Sequence, residues 1–238
     1  MATAAASLSD RLRGQCNSVW ESLHAHPFIR ELAAGTLPPD KFRFYVEQNL
    51  QYLPEYARAM AIGASKADDL ETMRILAADA TNILEREIPE NRELLRRVLD
   101  LGAIDLGGSD GMAPANVAYS SFLVSTATQS GPVEIMAAIV PCTWSYSDIA
   151  SALVVSGEVA DHPVYAEWVR FFGTPEYGEI VAKMRADFEA LAAGLGEPDA
   201  RRLSELFTTS TRLERAFWDM AYRLEHWPDV RARYGHER

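Results

Sequence analysis

Apolar side chains recur at intervals of three and four residues along most of this chain, which is the repeat of one face of an α-helix. The repeat is clearest near the C-terminal end, where Phe207, Phe217, Ala221 and Leu224 share one helical face. No segment shows the succession of alternating apolar and polar stretches that a β-sheet would require. The spacing therefore predicts an all-α fold, a bundle of packed helices.

Proline and glycine divide the periodic sequence into segments. Pro54 and Pro89 fall inside two long segments and predict bends there. No linker or repeat divides the chain, so we expect one domain over 1–238, with a flexible arm at 1–7 and a loop at 101–113. The predicted helices are 8–25, 39–66, 69–101, 114–129, 132–156, 163–172, 175–193 and 197–226.

Charge and cysteine content limit the possible partners. The chain has 23 Lys and Arg against 34 Asp and Glu, and its formal charge of -11 disfavours nucleic acid and anionic membranes. The longest apolar stretch, 135–144, is interrupted by Pro141 and is too short to span a bilayer. Two cysteines give no disulfide framework, which fits a cytoplasmic protein.

Glu214 stands where the helical repeat would place an apolar side chain. Burying a carboxylate costs free energy unless it is paired or its pKa rises. A carboxyl group with a raised pKa can act as a general acid or base near neutral pH. Two interpretations stay open: a proton-transferring group in a site, or a structural glutamate satisfied by an arginine, a tyrosine or water.

An aromatic stripe follows one face of the second predicted helix, formed by Phe42, Tyr45, Tyr52 and Tyr56 with Asn49 among them. Such a stripe is more often plain core than a binding site. Three hydroxyls and one amide nevertheless need hydrogen-bond partners. A flat polar ring, stacked on the aromatic side chains and bonded to the amide, would satisfy them.

Cys142 lies one helical turn before Tyr146, among polar neighbours. An isolated cysteine on an apolar helix is usually an inert small hydrophobe, which is our interpretation of Cys16. A catalytic thiol needs a group that favours its thiolate, and the sequence shows no adjacent cation. At Cys142 the polar surroundings count a little against the inert interpretation and leave both interpretations open, and Tyr119 in the fourth predicted helix could face the same cavity.

Six segments, in order along most of the chain, resemble the TenA / thiaminase II family. Each segment alone is weakly specific, but their order and spacing together are characteristic. The segments are His26-Pro27-Phe28, Gly35-Thr36-Leu37-Pro38, FRFYVEQNLQYL at 42–53, Pro141-Cys142-x-Trp144-x-Tyr146, His162-Pro163-x-Tyr165-x-x-Trp168 and Glu214-x-x-Phe217-Trp218-x-Met220-Ala221-Tyr222-Arg223.

The resemblance implies a heme-oxygenase-like helical bundle, commonly a homotetramer. It implies hydrolysis of an aminopyrimidine or related heteroaromatic, releasing the hydroxymethyl pyrimidine used in thiamin synthesis, without metal or organic cofactor. Cys142 would be the nucleophile that adds to the ring, and Glu214 would move protons at the ring and the leaving group. The residues implied to bind the substrate are Asn49, Tyr52, Tyr119, Tyr146, Phe172 and Phe217.

The chain departs from the family pattern at two of these positions. Asn49 replaces a typical Asp one turn before Tyr52, and Phe172 replaces a Tyr. A neutral amide does not support a protonated ring nitrogen as a carboxylate does. The departure predicts weak or absent hydrolysis of the standard aminopyrimidine and a gain on Asn49→Asp.

Three functions are compatible with these features. The first is a hydrolase with altered substrate preference, which the presence of Cys142 and Glu214 favours. The second is a non-catalytic pyrimidine-binding or regulatory protein, which Asn49 favours. The third, a di-iron or cofactor-synthesis oxidase, is disfavoured because di-iron bundles use a Glu-x-x-His from each of two helices and the sequence has one, Glu21 to His24.

Overall fold

The computed structural model describes residues 6–102 and 111–229, and every regular element within these ranges is a helix. The all-α prediction is confirmed for this part of the chain. Residues 1–5 of the predicted arm and 103–110 of the predicted loop lie outside the described residues. The elements are α1 (Leu8–Gln15), α2 (Asn17–His24), α3 (Pro27–Ala33), α4 (Pro39–Ser65), α5 (Leu70–Asn82), a π-helical turn (Ile83–Glu87), α6 (Ile88–Asp100), α7 (Pro114–Gln129), α8 (Pro132–Ser156), α9 (Tyr165–Phe172), α10 (Pro175–Leu191) and α11 (Glu197–Arg223).

The segment predicted as one helix, 8–25, forms two short helices, so the prediction of a continuous helix was wrong. α1 ends at Gln15 and α2 begins at Asn17; Cys16 lies between them, and its N–H bonds to the carbonyl of Arg13. No proline marks this break in the sequence. α3 begins at Pro27, with His26 as its N-cap, because the His26 ring accepts a hydrogen bond from the Phe28 N–H.

The two internal prolines have different consequences. α4 is a continuous helix of 27 residues with Pro54 in its interior. The third predicted helix divides into α5, the π-helical turn and α6, and Pro89 stands in the first turn of α6. A π-helical turn shifts the side chains that follow it relative to an α-helical repeat, and such turns occur frequently at functional sites.

α8 is the central helix, in contact with α4, α7, α9, α10 and α11. It is longer than the apolar stretch noted in the sequence, and by length and composition alone it could cross a membrane. However, 61% of its most apolar window is buried inside the fold. Burial by neighbouring helices accounts for this apolarity, as in the core helix of a soluble protein. α8 ends at Gly157, whose left-handed φ of 67° suits glycine.

The aromatic stripe of α4 has two parts. Its first part is core: Tyr45 is fully buried and stacks on Trp218 at 5.1 Å between ring centroids. Its second part, Asn49 and Tyr56, lines an internal cavity together with residues of α8. Both interpretations of the stripe therefore apply, each to a different half. This arrangement places the candidate site between α4, α8 and α11.

Candidate active site

The Cys142 thiol on α8 and the Glu214 carboxyl group on α11 lie close enough to shift each other's pKa. Glu214 is only 2% exposed, so the face of α11 predicted to be buried is buried. Cys142 keeps some accessible surface and lines the internal cavity. The cavity wall therefore carries a thiol with a buried carboxyl group beside it.

Burial determines the protonation of this pair. It raises the pKa of Glu214 to about 7, while hydrogen bonds from Tyr119 and Cys142 act in the opposite direction. Burial first, and the negative charge of Glu214 second, raise the pKa of the Cys142 thiol well above its usual value. At neutral pH the thiol thus keeps its proton, and Glu214 is a neighbouring group that can accept it.

A chain of hydroxyl groups leads away from Glu214. The Tyr119 hydroxyl is 2.6 Å from Glu214 Oε1 and 3.0 Å from Ser210 Oγ, and Ser210 donates to the Ala138 carbonyl at 2.6 Å. Because each hydroxyl has one proton, all three bonds form together only when the carboxyl group is protonated and donates to Tyr119. When it is ionised, Tyr119 donates to it instead. The network accommodates both states of Glu214, as a group that accepts and returns a proton requires.

Tyr52 and Phe217 adjoin this pair. The Tyr52 ring centroid is 4.8 Å from that of Tyr119 and 5.7 Å from that of Phe217. The Tyr52 hydroxyl acts to lower the pKa of Cys142, yet no described group completes a hydrogen bond to this buried oxygen. An unpaired buried hydroxyl costs free energy. It is therefore available to a developing thiolate or to a polar atom of a ligand.

A small cavity of about 20 Å³ adjoins Cys142, with room for about one water molecule, so a ring that binds there must displace some of the lining side chains. One of its walls is aromatic: the rings of Tyr146 and Phe172 meet edge to face at 4.9 Å. Four of the eight residues predicted for the site line this cavity. The other four are Glu214 and the three aromatic residues beside it, Tyr52, Tyr119 and Phe217. The lining residues are Asn49, Leu53, Tyr56, Glu87, Cys142, Thr143, Tyr146, Phe172 and Tyr177.

The orientation of the Asn49 amide follows from its neighbours. Asn91 Nδ2 lies 2.9 Å from the backbone carbonyl of Glu87, which can only accept, so this end of Asn91 is the donor. Asn91 Oδ1 then faces Asn49 Nδ2 at 2.9 Å, and Asn49 is the donor there. With one N–H engaged in this way, Asn49 keeps its Oδ1 as an acceptor for a ligand. In this respect it resembles one oxygen of the aspartate that it replaces.

Glu87, Asn91 and Tyr177 were not identified from the sequence. Glu87 is 8% exposed and lines the cavity; burial raises its pKa to about 7, although the Tyr177 hydroxyl donates to its Oε1 at 3.4 Å. The signal was present: Ile83, Glu87, Asn91 and Leu94 follow one another at intervals of four, four and three residues, and all are buried. The same pattern that identified Glu214 therefore also marks Glu87.

The comparisons with known proteins agree with this architecture. The family model described as TENA/THI-4/PQQC family matches residues 13–224, which is most of the chain. The chain belongs to the TENA/THI-4/PQQC family. A relative from Halalkalibacterium halodurans, named aminopyrimidine aminohydrolase, is 33% identical over 221 residues, covering 93% of this chain and 98% of the relative.

Two solved structures superpose on this chain over most of its length. A TenA homologue from P. horikoshii OT3 superposes with a TM-score of 0.80 at 32% identity, over 92% of this chain and 99% of that one. A domain with a heme oxygenase-like fold from Shewanella denitrificans OS217 superposes with a TM-score of 0.66 at 14% identity, over 93% and 94%. This second likeness concerns the fold alone, and the heme-oxygenase-like bundle expected from the sequence is confirmed.

Proposed function

We propose that this family member is a hydrolase that releases ammonia from an aminopyrimidine, with Cys142 as nucleophile and Glu214 as proton carrier. The observation that supports this most directly is that the Cys142 thiol, in the wall of a small aromatic-lined cavity, is close enough to the buried Glu214 carboxyl group for each to shift the pKa of the other. The name of the Halalkalibacterium halodurans relative supports the substrate class. Ammonia release from an aminomethyl-substituted aminopyrimidine tests the proposal.

The arrangement supports a balanced sequence of steps. The Cys142 thiol gives its proton to Glu214 as sulfur bonds to an electron-poor ring carbon, and the electron pair of the ring C=N bond moves to nitrogen, which takes a proton from water. The amino group then leaves the exocyclic carbon with its bonding electron pair and the proton from Glu214, while an electron pair from the ring forms a C=C bond to that carbon. Water adds at the vacated carbon and returns a proton to Glu214. Finally, the carbon–sulfur bond breaks, the ring nitrogen loses its proton, the aromatic ring re-forms, and Glu214 reprotonates the sulfur.

The surrounding side chains would hold the ring in place. Tyr146 and Phe172 offer aromatic faces and edges in the cavity wall, while Tyr52, Tyr119 and Phe217 fix the layer around the reacting pair. The Tyr146 hydroxyl is itself held by Tyr45 at 3.4 Å. Rigid aromatic walls restrict a flat ligand to one plane, which is how positioning lowers the barrier for attack. We place this activity in thiamin salvage or degradation, in the cytoplasm.

Asn49→Asp is expected to lower kcat/KM for an aminopyrimidine by roughly 10-fold. The substitution replaces an N–H donor with a carboxylate oxygen, so two buried hydrogen-bond acceptors would face each other without a proton between them. The new carboxylate would face Asn91 Oδ1, and Asn91 cannot reverse without losing its bond to the Glu87 carbonyl. This reverses the gain that the sequence alone predicts. Steady-state kinetics of the single variant and of Asn49→Asp combined with Asn91→Ala provide the test. A single variant faster than the wild type would restore the earlier expectation.

We further propose that the protein is a homotetramer, as the family resemblance implies. An outer groove lined by Met112, Val117 and Val124 beside several serines is a suitable contact surface. Light scattering is expected to give the mass of four 26.4 kDa chains, and Val117→Glu to give a smaller particle. Val155→Glu, at an 87% exposed position on α8, is the control and should remain tetrameric. A monomeric wild type would contradict the proposal.

A further inference from the structure

We propose that Glu87 is a substrate-binding residue that holds the amidine edge of an aminopyrimidine, meaning a ring nitrogen and the amino group on the adjoining carbon. The identity of the ring rests on the proposed function. The site itself rests on the arrangement of the described side chains. Glu87 lies in the last position of the π-helical turn and lines the same cavity as Cys142 and Asn49.

Glu87 has less hydrogen bonding than a buried carboxylate needs. Among the described residues, its side chain accepts one long hydrogen bond, from Tyr177 at 3.4 Å, and no Lys, Arg or His forms an ion pair with it. An ionised carboxylate has about four acceptor sites. A buried, unpaired carboxylate is costly, and a glutamine or leucine would cost less at a purely structural position. The unfilled acceptor sites therefore point to a donor that arrives with a ligand.

The neighbouring polar groups specify what this donor is. Asn91 holds one Asn49 N–H, so the Asn49 oxygen and the Glu87 carboxylate both offer acceptors to the cavity. A ligand that matches them must bring N–H groups, and a positive charge strengthens the match. A protonated amidine edge presents two adjacent N–H groups in one plane, which suits a carboxylate in the same way that a guanidinium does. A neutral ring without an amino group would leave both acceptors unsatisfied.

This contact would also assist the reaction. If Glu87 is protonated when the ring enters, its proton can pass to the ring nitrogen, leaving a carboxylate against a ring cation. A protonated ring is more readily attacked by the Cys142 sulfur. The interaction between Glu87 and the ring N–H also strengthens during the attack, because the ring nitrogen gains electron density and holds its proton more tightly. Glu87 would thus supply the negative charge that Asn49 does not have. In this chain the carboxylate comes from the π-helical turn instead of α4.

Few other groups facing Glu87 titrate near neutral pH. Burial raises the pKa of Tyr56 on α4 and of Tyr177 on α10 well above 10.0, and that of Cys142 on α8 well above 9.0. Arg86, in the same turn, acts weakly to lower the pKa of Glu87. Among the described groups that line the cavity or surround Glu214, Glu87 and Glu214 are therefore those that change charge between about pH 5 and 9.

The test uses 4-aminopyrimidine as a probe that binds without turnover. Its ultraviolet spectrum reports whether the ring is protonated. At pH 7.5 the ring bound to wild type is expected to show the protonated spectrum. With Glu87→Gln the bound ring is expected to be neutral and its Kd at least 10-fold higher, while Glu87→Asp recovers part of both effects. Glu85→Gln, an exposed position in the same turn, is the matched control and should behave as wild type.

Several outcomes would overturn the assignment. They are failure of wild type to bind the probe, a neutral ring bound to wild type, or an unchanged spectrum and Kd in Glu87→Gln. If Glu87→Gln does not fold, the Glu87→Asp spectrum and Kd decide, and values equal to wild type overturn the assignment. The result is separable from the proposed function, because the spectrum needs no turnover. A protonated bound ring without any ammonia release from a true substrate would support the Glu87 site and contradict the hydrolase.

Discussion

Glu214→Gln is expected to give a protein that is more stable than wild type at alkaline pH and almost inactive as a hydrolase. Glutamine keeps the acceptor oxygen for the Tyr119 hydroxyl, which donates to Glu214 at 2.6 Å, so the packing of α11 is retained. It cannot take the proton of Cys142 or pass it to the leaving group. Loss of a positioned general acid and base typically costs about 10²–10⁴-fold in rate.

The stability change has a definite pH dependence. The pKa of Glu214 is raised from 4.5 to about 7 in the folded protein, so folding favours the protonated form. This contribution is fully present below about pH 4.5 and is lost as the pH rises through about 7. Above that range the ionised carboxylate costs wild type on the order of 3 kcal/mol that a neutral glutamine does not cost. The variant should therefore melt several degrees higher at pH 8.5 and near wild type at pH 5.

Thermal unfolding at these two pH values, together with kcat/KM, provides the measurement. Glu205→Gln, at an exposed position of the same helix, is the matched control and should change neither quantity. Equal melting temperatures for wild type and Glu214→Gln at pH 8.5 would show that Glu214 is not held in a desolvated state. Full activity of Glu214→Gln would remove its role as proton carrier.

Cys142→Ser is expected to reduce hydrolysis by at least about 10³-fold, because a serine hydroxyl is a far weaker nucleophile in this setting. The exchange nearly preserves size and keeps a proton donor beside Glu214, so binding of a pyrimidine should persist. The thiol already has a raised pKa in the free protein, and the activation therefore depends on Glu214. Oxygen, with a higher intrinsic pKa, would not transfer its proton at a useful rate.

Cys16 provides the internal control for this experiment. It is buried at the end of α1, with its sulfur 3.6 Å from the Thr211 hydroxyl, and does not line the cavity. Cys16→Ala should leave kcat unchanged even if the melting temperature falls. If Cys142→Ser retained the wild-type rate, or if Cys16→Ala lost activity while still folded, the assignment of the nucleophile would fail.

Glu214 could be predicted from the sequence because a charged residue at an apolar position of a helical repeat is easy to recognise. Glu214 interrupts an apolar repeat of three and four residues, and the side chain is indeed buried. The helical fold follows from the same periodicity. The role proposed for Cys142 came mainly from the family resemblance, because its polar neighbours are a weak signal and Glu214 lies 72 positions away on another helix.

Other features depend on contacts that the sequence does not display. Glu87 and Asn91 follow a helical repeat, but the segment was interpreted as one bent helix, and the π-helical turn that precedes α6 has no proline or glycine within it. Tyr177 reaches Glu87 from α10, 90 positions away. The orientation of Asn49 depends on Asn91, which changes the expected effect of Asn49→Asp. In each case tertiary packing decides what the local pattern leaves open.

Ammonia release from an aminomethyl-substituted aminopyrimidine by the purified wild-type protein tests the central claim most directly. The account predicts sustained turnover, with one ammonia and one hydroxymethyl pyrimidine formed per substrate, and loss of both products in Cys142→Ser. A protein that binds the pyrimidine tightly but releases no ammonia would contradict the account. It would identify this chain as a pyrimidine-binding member of the family instead.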